Sequence, residues 1–104
     1  MQRNEIWWAD LPHPYGARPV ALISRNKAIQ VRNSLTVAMV TTVVRDIPVE
    51  VSLGKTDGMP KSCVINCDVL LTIPKSILKS RITRLSHEKT FALNQALVFA
   101  LGLN

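Results

Sequence analysis

Two histidines are the residues of this 104-residue sequence that most readily act as acids or bases near neutral pH. His87 falls in the first turn of a predicted helix, where we expect it to face solvent. His13 lies in a loop beside Tyr15, a position that can face a ligand. The sequence has no Gly-rich phosphate loop and no Ser-His-Asp spacing. Conventional catalytic signatures are therefore absent, and any chemistry has to be sought in larger patterns.

Two cysteines, Cys63 and Cys67, stand four residues apart in an apolar stretch. If that stretch is a strand, their Cα atoms are about 13 Å apart, whereas a disulfide requires less than about 7 Å. A zinc site would need further ligands, and the sequence has no second cysteine pair. We therefore interpret both cysteines as small buried hydrophobic residues and expect no metal and no cofactor.

The net charge of +6 is unevenly distributed. Residues 12–45 include no acidic residue and five basic ones: Arg18, Arg25, Lys27, Arg32 and Arg45. The segment 69–104 is also basic and has Glu88 as its only acid. Two separated basic blocks fit a polyanionic partner such as nucleic acid. Many solvated domains are equally basic, so charge alone leaves both interpretations open.

The length predicts one domain, residues 1–104, near the size at which an oligomer interface often supplies additional apolar burial. Hydrophobic residues make up 47%, which argues against disorder. No apolar run reaches the roughly 18–20 residues of a membrane helix, and the polar segment Met1–Glu5 is unlike a signal peptide. We therefore expect a cytoplasmic protein without a membrane partner.

Prolines and glycines divide the first three quarters of the chain into short β-rich pieces, which favours a small β-barrel. Pro19–Ser24 has the compact apolar composition of a strand that is buried on both faces. The other predicted strands are Glu5–Leu11, Leu35–Val44, Val49–Leu53, Ser62–Asn66 and Val69–Ile73, and the chain should bend at Cys67 and Asp68 between the last two. A loop is predicted at 13–16, a short helical turn at Asn26–Val31 and a turn at 54–58.

The chain is predicted to end in helices. Pro74 suits the first position of a short helix that includes Ile77 and Leu78. A longer helix should begin after Ser86, a good N-cap, and end at Gly102. Its predicted apolar face, which should pack on the barrel or on a second subunit, is Leu93, Leu97, Ala100 and Leu101.

An ordered set of segments spans nearly the full chain: Glu5–Leu11, Arg18–Ser24, Thr36–Thr42, Ile47–Val51, Asp57–Asp68, Leu71–Lys75 and Ala96–Leu103. This set resembles the MazF/PemK toxin family. The resemblance implies an SH3-like small β-barrel with a C-terminal α-helix, assembled as a homodimer. It also implies the toxin of a type II toxin–antitoxin system, with a cognate acidic antitoxin, MazE-like or other, encoded nearby.

The activity implied by the resemblance is a sequence-selective, metal-independent endoribonuclease. Such an enzyme cleaves single-stranded RNA through attack by the 2′-hydroxyl, and it leaves a cyclic phosphate and a 5′-hydroxyl. Because the nucleophile belongs to the substrate, the protein has only to position the phosphate, stabilise its additional charge and move protons.

Three residues match the family's catalytic positions. Arg18 matches an arginine whose forked donors suit phosphate oxygens. Thr41 matches a hydroxyl residue at the end of the central strand, whereas Thr42 should point to the opposite face. Asp68 matches an acidic position that some members use as a proton acceptor. The residues predicted to contact RNA are His13, Tyr15, Arg25, Lys27, Thr42 and Asn66.

Two departures from the family pattern keep alternatives open. Asn66 stands where some members have an arginine, and Leu71 where many have a polar or basic residue. A non-catalytic SH3-like nucleic-acid-binding domain, or a decayed toxin, therefore remains an alternative. A CcdB-like gyrase poison is a further one, although the ending Leu101–Asn104 differs from that protein's terminal Trp-Gly-Ile and a gyrase poison would have no use for Arg18.

Overall fold

A computed structural model describes residues 1–104 as one antiparallel sheet with two α-helices. The elements are β1 (Glu5–Leu11), β2 (Gly16–Leu22), α1 (Asn26–Val31), β3 (Ser34–Thr41), β4 (Glu50–Leu53), β5 (Cys63–Pro74), β6 (Leu78–Arg84) and α2 (His87–Leu101). Short 3-10 helices, Lys55–Asp57 and Lys75–Ile77, precede β5 and β6. The strands lie in the order β4-β5-β3-β2-β1-β6, so β4 and β6 form the two edges.

Each face of the sheet carries a buried core. One face, which we name the α2 face, packs against α2 through Leu93 and Leu97. The other, the α1 face, packs against Ile29 of α1. Strand β2 contributes to both cores, since Ala21 belongs to the α2 face and Leu22 to the α1 face, and neither has any exposed surface. The prediction of a strand buried on both faces is therefore confirmed.

The sheet curls until the segment after β4 reaches the opposite edge strand, β6. The Thr83 hydroxyl of β6 donates a hydrogen bond of 2.8 Å to the backbone oxygen of Asp57. Beside this bond, Gly58 adopts a left-handed conformation with φ of +90°. A Cβ atom at Gly58 would lie 2.4 Å from the Thr83 hydroxyl oxygen, so only glycine fits here. The predicted mainly-β fold is confirmed as a curled antiparallel sheet with a C-terminal helix.

The predicted bend at Cys67 and Asp68 is confirmed, but it lies within one continuous strand, β5. The pairing of β5 with β3 shifts register between Leu70, opposite Ala38, and Asn66, opposite Met39. The intervening residues form a bulge, which the Asn66 side chain stabilises by accepting a 2.9 Å hydrogen bond from the Asp68 N–H.

Strand β3 ends at Thr41, three residues before the predicted end at Val44. The Thr41 hydroxyl accepts a 3.1 Å hydrogen bond from the Val43 N–H, which turns the chain away from the sheet. The Glu50 carboxylate then accepts hydrogen bonds from the Arg45 and Asp46 N–H groups. The run of β-branched residues resembles a strand in sequence, but its backbone is satisfied by local side chains instead of by a neighbouring strand.

The short helix predicted to begin at Pro74 and to include Ile77 and Leu78 is only partly present, and the strand that follows it was not predicted. Pro74 is the last residue of β5, and the expected helix is a single 3-10 turn, Lys75–Ile77. Leu78 instead begins β6, an edge strand whose residues are mostly exposed. An edge strand of this composition lacks the apolar alternation that identifies strands in sequence.

The terminal helix agrees with its predicted limits. The Ser86 hydroxyl accepts a 3.1 Å hydrogen bond from the Lys89 N–H, and Gly102 ends the helix with φ of +65°. Its buried face contains Leu93 and Leu97 as predicted, together with Ala96, whereas Leu101 is 54% exposed. The last turn therefore leaves Leu101 outside the core.

No helix of the protein combines the length and the apolar character needed to cross a bilayer, and the longest has 15 residues.

A buried carboxylate at the start of β1 ties three parts of the chain together. Glu5 Oε1 accepts hydrogen bonds of 2.9 Å from the Gln2 N–H and from the Trp7 indole N–H. Glu5 Oε2 forms an ion pair with Arg81 of β6, at 3.3 Å. Burial by itself raises the pKa of Glu5, but these hydrogen bonds outweigh it, so the pKa lies below its ordinary value of 4.5.

We predict that Glu5→Gln lowers the free energy of unfolding by about 1–3 kcal/mol at pH 7, because hydrogen bonds to a charged acceptor become bonds to a neutral one. A lowered folded-state pKa stabilises the protein above the unfolded-state pKa, and this stabilisation is lost as the pH falls through the folded value. Urea denaturation from pH 7 to pH 3 should therefore show a weaker acid dependence in Glu5→Gln than in the parent. The control is Asp10→Asn, an exposed position on the same strand; an equal change in both variants would contradict the prediction.

A second prediction concerns the closure of the sheet. Gly58→Ala should lower the free energy of unfolding for two reasons. An alanine in a left-handed backbone conformation costs about 1–2 kcal/mol, and the overlap of its Cβ atom with Thr83 costs about 1–3 kcal/mol more. Gly16→Ala is the matched control, because Gly16 also has positive φ, at +69°, but no atom lies within 4 Å of the added Cβ. Chemical denaturation measures both variants. Equal losses would mean that the approach of Gly58 to Thr83 does not constrain the fold.

Candidate active site

A cavity opens where β2 and β3 separate. Their pairing ends at Val20 opposite Met39. Continued by two residues, the same register would place Arg18 opposite Thr41, but the strands no longer pair there. Both residues instead line a cavity of about 300 Å³, which we name the Arg18 cavity. The strands' divergence therefore exposes two side chains that the register has already brought near each other.

The polar lining of the Arg18 cavity comes from Arg18, Thr41, Thr42 and Lys61. No carboxylate and no histidine lines it. Two cations and two hydroxyl groups, facing a space without negative charge, suit the binding of an anion. The cavity can thus hold a phosphate group and stabilise additional charge on it, but its lining contains no ordinary general base.

Arg18 is half-buried and oriented by a backbone contact. Its Nε donates a 3.2 Å hydrogen bond to the carbonyl oxygen of Tyr15, in the turn between β1 and β2. The ion pair of Arg81 with Glu5 is the only one in the protein, so the Arg18 guanidinium has no carboxylate partner. Its terminal nitrogens remain available for a forked contact with phosphate oxygens.

Thr41 is positioned by the turn that it initiates. Because its hydroxyl oxygen accepts the Val43 N–H, the hydroxyl proton is free to be donated to a second group. Thr42 does not point away to an opposite face as predicted, since the strand ends at Thr41 and both residues line the cavity. The expected alternation fails because it applies only to extended, paired backbone.

Lys61 is a cavity residue that sequence reasoning missed. It lies in the segment between β4 and β5, two residues before β5, the strand that pairs with β3 up to Thr41 opposite Val64. Its one signal in the sequence is that it follows Pro60 within a segment that resembles the toxin family. A lysine in a loop carries no periodicity, so no pattern in the sequence indicates that this segment lies beside the end of β3.

The two cysteines are buried free thiols, as predicted. Cys63 lies at the base of the Arg18 cavity, where burial and the charge of Asp57 raise its pKa. Burial, with a contribution from Asp68, raises the pKa of Cys67 to about 11. Both thiols are therefore protonated at neutral pH, which makes Cys63 a packing residue of the cavity and not a nucleophile.

The family model of PemK-like, MazF-like toxins of type II toxin–antitoxin systems matches residues 2–101. The chain belongs to this family. The prediction made from the ordered segments is thereby confirmed.

Relatives and solved structures of the PemK/MazF family agree with this assignment over almost the whole chain. A probable endoribonuclease, MazF2 of Mycobacterium tuberculosis, is 31% identical over 103 residues, which cover 98% of this chain and 99% of the relative. The solved M. tuberculosis toxin MazF-mt6 has a TM-score of 0.88 at 32% identity, covering 96% of this chain and 98% of that chain. A mycobacterial endoribonuclease solved with its cognate antitoxin has a TM-score of 0.89 at 29% identity, covering 100% and 97%.

Several residues that the PemK/MazF resemblance predicted lie outside the Arg18 cavity. His13 and Tyr15 are exposed in the turn before β2, and the backbone carbonyl of Tyr15 accepts a hydrogen bond from Arg18. Arg25 and Lys27 are exposed beyond the other end of β2, from which Arg18 is separated by at least about 13 Å of strand. Their contacts with RNA remain predictions.

Asp68 and Asn66 also lie apart from the cavity. Asp68 is exposed on the bulge of β5, about 13 Å along the strand from Val64, the residue that pairs with Thr41. Asn66 is only 8% exposed, and its side-chain oxygen already accepts the Asp68 N–H. The structure thus groups Arg18, Thr41 and Thr42 with Lys61, while the predicted proton acceptor lies elsewhere on the same sheet.

Proposed function

We propose that this chain is an endoribonuclease toxin that cleaves single-stranded RNA by using the substrate's own 2′-hydroxyl as the nucleophile. The observation that carries the proposal is that Arg18 forms no ion pair and lines the same cavity as Thr41 and Lys61. No carboxylate lines this cavity. Support comes from the relative of the same length that is named a probable endoribonuclease. The products would be a cyclic phosphate and a 5′-hydroxyl.

The cavity residues match the needs of the phosphate during this reaction. As the 2′-oxygen attacks, negative charge accumulates on the two non-bridging oxygens of the phosphate. The forked donors of Arg18 and the ammonium group of Lys61 stabilise that charge. The Thr41 hydroxyl, whose oxygen accepts the Val43 N–H, donates a hydrogen bond to one of these oxygens. Asp68, which lies outside the cavity of its own chain, remains our predicted acceptor of the 2′-hydroxyl proton. The P–O5′ bond breaks as the cyclic phosphate forms, and the leaving 5′-oxygen takes up a proton from water. We also predict a homodimer.

The protein's partner would be an acidic antitoxin encoded nearby. Support comes from the similar mycobacterial endoribonuclease that was solved in complex with its cognate antitoxin. Beside Thr42, the loop after β3 exposes three apolar side chains, Val43, Val44 and Ile47. A flexible acidic segment with apolar anchors would neutralise the cations of the cavity and cover this loop. We place the protein in the cytoplasm, where its RNA substrates occur.

The test is to incubate the purified chain, free of antitoxin, with single-stranded RNA in excess EDTA and to sequence the product ends. We expect a cyclic phosphate on one product and a 5′-hydroxyl on the other. Replacing the 2′-hydroxyl at the cleaved position with hydrogen should abolish cleavage, because the nucleophile is removed. If a folded sample leaves all RNA intact, the chain is a non-catalytic binding domain instead.

A further prediction separates charge from geometry at Arg18. Arg18→Lys keeps the positive charge but loses the planar fork, so RNA binding should change little while kcat falls about 100-fold. The control is Arg32→Lys, at an exposed position after α1. Single-turnover cleavage and equilibrium binding of an uncleavable 2′-deoxy substrate measure the two effects. If Arg18→Lys cleaves RNA at the parental rate, Arg18 contributes only its positive charge and the catalytic role proposed for its guanidinium is wrong.

A further inference from the structure

Two neighbouring tryptophans on β1 face opposite sides of the sheet and have different surroundings. Trp7 packs against the core of the α1 face, and its indole N–H donates to Glu5. Trp8 lines the Arg18 cavity and is 38% exposed. Trp7 is thus accounted for by packing and a hydrogen bond, whereas much of the Trp8 indole remains open to the cavity.

The local backbone explains why Trp8 reaches the cavity. Ile6, which points to the same face two residues earlier, is fully buried in the core of the α2 face. The pairing of β1 with β6 is irregular on both sides of the Trp7–Trp8 pair. The extra residues, Ile82 and Lys79, lie on β6, whereas β1 keeps a regular register with β2, so the alternation of side chains along β1 holds at Trp8. Trp8 therefore points to the same face of the sheet as Ile6, at the position along β1 where the buried core ends and the cavity begins.

The cavity around Trp8 combines an apolar wall with cations. Pro19 stands directly opposite Trp8 in the pairing of β1 with β2, and Met59 and Pro60 contribute further apolar lining. Arg18 and Lys61 supply the positive charge. A bare phosphate would require only the cations, whereas a nucleotide has both an anionic phosphate and a flat base. The volume of about 300 Å³ lies at the small end of ligand pockets, which suits one nucleotide.

We propose that Trp8 is a stacking platform for the RNA base adjacent to the phosphate that Arg18 binds. This inference rests on the proposed endoribonuclease function and names a subsite within it. Bases of single-stranded nucleic acid stack on exposed aromatic rings, and losing such a ring weakens binding about 5- to 150-fold per base. Stacking would hold the nucleotide in place while the cations act on its phosphate.

The experiment uses the intrinsic fluorescence of the two tryptophans. Trp7→Phe leaves Trp8 as the only tryptophan, and Trp8→Phe leaves Trp7 as the matched control. Each is titrated with a 2′-deoxy version of the RNA that the parent cleaves, or with random-sequence single-stranded RNA if the parent cleaves none. We expect RNA to quench the emission of Trp8 and to leave that of Trp7 unchanged.

A second measurement tests the energetic role of the ring. Trp8→Leu should weaken RNA binding at least about 5-fold, whereas Trp8→Phe, which keeps an aromatic face, should retain most of it. Thermal unfolding of Trp8→Leu checks that the partly exposed position tolerates leucine. If Trp8→Leu does not fold, the quenching of unmutated Trp8 still decides the proposal.

The outcomes separate this inference from the proposed function. RNA cleavage by the parent without quenching of Trp8 would overturn the stacking role and leave the endoribonuclease assignment intact. Absence of both cleavage and quenching would overturn both. Quenching of Trp8 by an acidic antitoxin segment, but not by RNA, would also overturn the proposal, because Trp8 would then belong to a protein interface.

Discussion

The hydrogen bond from Thr83 to the Asp57 carbonyl oxygen, with Gly58 packed beside it, determines how the two edges of the sheet meet. These residues lie far apart in sequence, on the segment after β4 and on β6, and no strand pairing joins β4 to β6. The same segment continues into Met59, Pro60 and Lys61, which form one wall of the Arg18 cavity. The segment that contacts the opposite edge of the sheet therefore also supplies a cation to the cavity.

The other wall of the cavity follows from the register of β2 and β3. Antiparallel pairing fixes which residues stand opposite each other, and a shift of one residue would reverse the faces of the whole strand. With Val20 opposite Met39, the side chains of Arg18 and Thr41 approach each other just beyond the last paired residues. The buried core of β2 and β3 thus holds the site residues in place, although the core residues take no part in the chemistry.

Sequence patterns predicted those elements whose formation is local. Strand β1 and helix α1 have their predicted limits, and the Ser86 cap and Gly102 end of α2 are present, since periodicity and capping act within a few residues. Strand β6 was missed because an exposed edge strand needs little apolar alternation. The family resemblance identified Arg18 and Thr41 as candidates, but Lys61 lies in the same cavity through the pairing of β3 with β5, which no local pattern encodes.

The charge distribution of the cavity has consequences for both of its proposed partners. Arg18 has no carboxylate partner and Lys61 is exposed, so the protein itself does not neutralise these cations. An anionic ligand entering the cavity therefore displaces no internal ion pair, and the attraction should weaken with added salt as counterion release predicts. RNA and an acidic antitoxin segment would compete for the same charges. In the proposed mechanism the attacking hydroxyl arrives with the substrate, so inhibition would require only that the antitoxin occupy the cavity.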